Sequence, residues 1–127
     1  MRVRCAIASF AVFLVASPSW AHHSLAAFDV SKTPSVRGTL TRVDWRNPHI
    51  ELSLQVRNDR GQVDVWTIES APPSLFNRRG VSRSVFEQAI GQSVTADVYR
   101  AKDGRPFGSL VKLTFADGTS VTGAPGA

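Results

Sequence analysis

Histidine is scarce here, and its placement is uneven: the chain holds three, with His22 and His23 adjacent and His49 inside Trp45-Arg46-Asn47-Pro48-His49. Imidazole nitrogen ligates transition metals, and the residues ahead of His22 give that possibility a specific form. Met1 to Arg4 are basic, residues 5–16 are apolar apart from Ser9, and Ser19 and Ala21 supply the small residues of a signal-peptidase site. Cleavage after Ala21 is therefore expected, and it would leave a free amine on His22. One residue would then offer an amino and an imidazole nitrogen, and an imidazole from His49 would complete a T-shaped set of three nitrogens suited to tetragonal Cu(II). Alternatively, His23 in second position could chelate through amine, deprotonated amide and imidazole with no help from the fold. Both routes favour copper over zinc. The plainer interpretation is that His22 and His23 are solvated at a frayed terminus and that His49 bonds a backbone group. No carboxylate or cysteine stands at metal-ligand spacing to any of the three.

Trp45, Asn47 and Trp66 are the candidate ligand-binding residues outside the histidines. Aromatic side chains on a small barrel can stack on sugars or bases, and Arg42, Arg46 and Arg57 lie close in sequence. Packing is the commoner role for tryptophan in so small a chain. Arg78, Arg79 and Arg83 read as a solvated basic face. Conventional catalytic signatures are missing: there is no Gly-x-Ser-x-Gly elbow, phosphate-binding glycine loop, His-Glu-x-x-His helix or cysteine after Ala21. No catalytic residue is assigned, and an enzyme is the less favoured class.

The elements that must position these residues are mostly strands. Residues 50–57 alternate strictly, with Ile50, Leu52, Leu54 and Val56 on one face and Glu51, Ser53, Gln55 and Arg57 on the other. Residues 36–45 are strand-like too, but their apolar parity shifts, which predicts a bulge near Thr41. A third strand spans 63–69, reached through the turn-forming Asn58-Asp59-Arg60-Gly61. Short helical turns are expected after Pro72-Pro73 and around Ser84-Val85-Phe86-Glu87, which has capping-box spacing. Residues 93–100 and 107–115 supply two more strands, the latter with Val111, Leu113 and Phe115 inward, and Asp117-Gly118 leads to a short strand over 119–122 before a loose tail from Gly123. Three strands, a helical connection and two or three strands match the plan of the OB-fold, so the fold class is all-β: a small OB-like barrel of five or six strands. A plain six-stranded barrel or a small sandwich is the alternative.

Removing 21 of 127 residues leaves 106, enough for one domain over 22–127 with a short arm over 22–35. Arg2, Arg4 and Cys5 leave with the leader, giving 13 Lys+Arg against 10 Asp+Glu, a net charge of +3 and no disulfide. The expected location is the periplasm or the exterior, with no membrane span after cleavage, and nucleic acid is a poor partner there.

Ala21-His22-His23-Ser24, Phe28-Asp29, Gly38-Thr39-Leu40-Thr41-Arg42-Val43-Asp44-Trp45, Asn47-Pro48-His49, Trp66 and Ala101-Lys102-Asp103-Gly104 together resemble a family of small exported bacterial proteins, domain-of-unknown-function family 6152. The chain departs from that family at Val81, where a tryptophan follows the glycine. The resemblance implies an exported single-domain β protein in which His22, His23, Asn47 and His49 serve a shared purpose, and it brings no activity. The leading expectation is a non-enzymatic periplasmic binding module for a metal ion or small ligand, with copper at His22, His23 and His49. Second is an adaptor binding a sugar, envelope polymer or protein through the sheet face around Trp45 and Trp66. A copper-dependent oxidative enzyme at the same histidines is third.

Overall fold

The computed structural model describes residues 25–123. A 3-10 turn at Leu25–Ala27 leads into β1 (Phe28–Asp29), followed by β2 (Ser35–Asp44), β3 (Glu51–Arg57), β4 (Val63–Glu69), α1 (Pro73–Arg78), α2 (Arg83–Glu87), β5 (Ser93–Ala101), β6 (Phe107–Thr114) and β7 (Ser120–Thr122). Five strands close on themselves: β2 pairs with β3, β3 with β4, β4 with β6 in parallel, β6 with β5, and β5 back with β2. This is the OB-like barrel expected from the strand order, with the helices between its third and fourth strands. β1 adds to β5 and β7 to β6 outside the closed ring.

Alternation makes the core. Leu52 and Leu54 of β3, Ile68 of β4 and Val94, Ala96 and Val98 of β5 are fully or almost fully buried inside. Phe76 of α1 and Phe86 of α2 fold down on them, edge to face at 5.3 Å, so the two short helices plug the barrel. The bulge expected in the first strand is present: the β2–β3 register shifts between Leu40 and Arg42. Gly38 permits the coiling there, because a Cβ on it would meet the Gln55 carbonyl oxygen.

Three local expectations need correction. A second register shift, on β6 opposite Asp97 and Val98, puts Leu110 in the core with Leu113 and leaves Val111 half-buried. The capping box does not form: Ser82, not Ser84, caps α2 without a side-chain bond, and Glu87 pairs back to Arg83 at 2.7 Å. Finally, the chain is still tied down at Gly123, whose N–H donates to the Val111 carbonyl.

Candidate functional site

The loop between β2 and β3 carries Trp45, Asn47 and His49, and both of its ends are fixed. At its start the Trp45 ring lies 5.4 Å from Phe86 and 6.0 Å from Phe76, under the helical plug. At its end Ile50 is fully buried, and its backbone exchanges hydrogen bonds with the segment after β4: Ser70 N–H to Ile50 C=O at 2.8 Å and Ile50 N–H to Ala71 C=O at 3.3 Å. Between these anchors Asn47 and Pro48, joined by a cis peptide, are exposed.

The stitching at Ile50 sets His49 against the end of β4. Its Nδ1 lies 3.0 Å from the Ser70 carbonyl oxygen and its Nε2 3.2 Å from Glu69 Oε1. The carbonyl and the carboxylate both only accept, so a protonated ring donates to each of them and a neutral ring to one of the two. Both side chains are largely enclosed, at 20% and 11% exposure. Sequence reading singled out His49 but did not pair it with Glu69, which is 20 positions away and reaches the loop only through strand register.

Glu69 belongs to a row of carboxylates on the outer sheet face. Asp44 stands opposite Glu51, and Glu51 opposite Glu69. Asp44 and Glu69 are thus separated by a strand. Asp44 is offset by Arg42 at 3.3 Å and Arg46 at 3.2 Å. On its other side Glu69 is level with Ser109 of β6, which is level with Tyr99 of β5.

The two tryptophans are not brought together on an exposed face. Trp66 is opposite Leu54 and points into the barrel at 6% exposure, with the Arg100 guanidinium 4.8 Å above its ring. Trp45 is half-buried against the plug. The exposed apolar residues of the sheet face are instead Val63 and Val65 of β4. A hollow of about 320 Å³ between α1 and β7, lined by Phe76, Arg79, Val81, Ser120, Val121 and Thr122, contains none of the candidate residues.

His22 and His23 lie outside the described residues. Among the described residues no group of three or more His, Cys, Asp and Glu side chains converges as a metal cage. Within that region His49 Nε2 and Glu69 Oε1 face each other as a pair.

Residues 11–110 match the family described as a family of unknown function, DUF6152. No curated protein and no solved structure matched the chain. The family match spans well over half of the sequence, and the chain belongs to that family.

Proposed function

We propose that this DUF6152 member is an exported, non-enzymatic binding module of the bacterial periplasm that holds a copper ion between its processed N-terminus and His49. The supporting observation is the position of the His49 ring. A metal-ligating histidine ordinarily donates its other ring N–H to a carbonyl or carboxylate, which fixes tautomer and orientation. His49 has that arrangement, with Nδ1 on the Ser70 carbonyl and the whole loop end anchored through Ile50. The described residues alone supply too few donors, and the amine and imidazole of His22, or the chelating set headed by His23, would supply the rest. Bound there, copper would bring a redox-capable cation to the surface, for carriage or sensing.

Processing is the first test. Mass spectrometry of protein exported and cleaved in a bacterial host is expected to find His22 as the first residue, and elemental analysis of the same sample to find copper. A different first residue would remove the amine on which this reading depends.

The adaptor reading retains one observation in its favour. β6 pairs with β4 only over Thr67 to Glu69, so Val63 and Val65 are exposed beside the half of β4 that β3 alone flanks. A protein partner would be recognised there and not around Trp45 and Trp66. Such binding would be indifferent to the N-terminal amine and to His49.

A further inference from the structure

A second hollow, of about 200 Å³, opens between α2 and the turn from β6 to β7, and its walls include Val85, Gln88, Gln92, Phe115, Asp117 and Thr119. We infer that it is a carbohydrate site that takes a single uncharged pyranose ring. The hollow shares no residue with the surroundings of His49, so this inference stands or falls apart from copper binding.

Both walls are fixed by backbone bonds. After α2 the chain is tied to β2, with Gly91 N–H donating to the Leu40 carbonyl at 2.7 Å and Leu40 N–H to the Gln92 carbonyl at 3.0 Å. Across from it, the turn after β6 is closed by Phe115 N–H to the Thr119 carbonyl at 2.9 Å and Gly118 N–H to the Phe115 carbonyl at 3.0 Å, with Gly118 at a φ of 86°. A hollow held in this way exists before a ligand arrives, and little ordering is left to offset the binding energy.

The lining selects the ligand. The half-buried Phe115 ring, braced edge to face by Phe86 at 6.0 Å, and the exposed Val85 supply apolar surface. The amides of Gln88 and Gln92, the Thr119 hydroxyl and the Asp117 carboxylate supply donors and acceptors together. A pyranose ring has the same two characters, a C–H face that lies on an aromatic ring and a rim of hydroxyls that donate and accept. Gln92 Nε2 donates to the Gln88 carbonyl at 2.9 Å, which orients that side chain and leaves its amide oxygen for a ligand hydroxyl. Asp117 Oδ1 accepts from Thr119, which orients the carboxylate in turn.

Other ligand classes fit less well. No lysine or arginine lines the hollow, so a phosphate or carboxylate would meet Asp117 without a counter-charge. A wholly apolar molecule would cover two amides and a carboxylate without replacing their hydrogen bonds to water. The volume admits one ring and not an oligosaccharide, so in a longer glycan a terminal or single internal residue would be recognised.

The test uses exported, processed, isotope-labelled protein, titrated by amide NMR with methyl glucoside, methyl galactoside, methyl mannoside and N-acetylglucosamine, and with glycerol and tetramethylammonium chloride as controls. At least one glycoside should give saturable shifts confined to residues 85–92 and 115–119, while glycerol, which has hydroxyls but no ring face, should give none. Gln88→Ala and Asp117→Asn, at exposed positions, should each weaken binding about threefold to tenfold, as the loss of one hydrogen bond does. Phe115→Leu should abolish it, and melting curves check that all three variants fold. No saturable shift at these residues with any of the four sugars, or binding of tetramethylammonium alone, overturns the inference. So does a sugar affinity that folded Gln88→Ala and Asp117→Asn both leave unchanged.

Discussion

Asp117 shows how local bonding sets the chemistry of one side chain. Its Oδ1 accepts from the hydroxyl of Thr119 at 2.6 Å and from the Thr119 backbone N–H at 2.9 Å, and these bonds hold its pKa below the ordinary 3.8. Because the folded value is the lower one, the stabilisation is present above the unfolded pKa and is lost as pH falls through the folded one. A carboxyl-detected NMR titration should give Asp117 a midpoint below 3.8, and Thr119→Val, which removes the hydroxyl but keeps the N–H, should move it back upward. A wild-type midpoint at or above that value would contradict the turn geometry. Asp29 repeats the motif with Ser31 and should behave alike. At the same scale, His49 was legible in the sequence because histidine is rare in this chain. Glu69 was not legible, because its partner is set by the register of β4 against β3 and by two backbone bonds at Ile50, neither of which leaves a mark in residue spacing.

Strands were read well wherever a strictly alternating run meets a one-sided core. On β3, Leu52 and Leu54 are fully buried, while Ser53 between them faces outward. Leu52→Ala and Leu54→Ala should each cost about 2–5 kcal/mol in denaturant unfolding, and Ser53→Ala within about 0.5 kcal/mol. Equal costs would mean that the faces were assigned wrongly. Gly38 gives a second test on β2: a Cβ there meets the Gln55 carbonyl and lies 2.8 Å from Val56 Cγ2, so Gly38→Ala should destabilise by about 1–3 kcal/mol. A neutral or stabilising result would contradict the close approach of β2 and β3. Alternation misleads where the strand slips. On β6 the extra residue exchanges the expected Val111 for Leu110, and a run of Leu110-Val111 followed by Leu113 is compatible with either register until β5 is in place. The capping box fails for a related reason: the helix begins two residues early, at Arg83, and Glu87 finds that arginine instead of the helix start. β1 was overlooked because two residues are too short to show a period; what fixes Phe28 is its stacking on Phe107 at 5.6 Å.

For the molecule as a whole, the strand order carried the OB-like plan, since a coiled first strand, a three-strand meander and a helix before the last two strands leave few ways to close a barrel. Closure is also what builds the proposed site. The parallel β4–β6 pairing brings Ser109 level with Glu69, and the β2–β3 loop folds over the end of β4 to deliver His49. The other half would come from the segment freed by cleavage after Ala21. The most direct test compares Cu(II) affinity, by competition titration, for three exported proteins: one starting at His22, one with a single residue placed before His22, and one starting at His22 with His49→Ala. Amine and imidazole must be deprotonated to bind, so the comparison is made at neutral pH and again near pH 5, where all affinities should fall. Tight binding by the first protein, weakened both by the extension and by His49→Ala, is the predicted result. No tight binding by the processed protein, or binding that ignores both changes, would contradict a copper site shared between the N-terminus and the barrel.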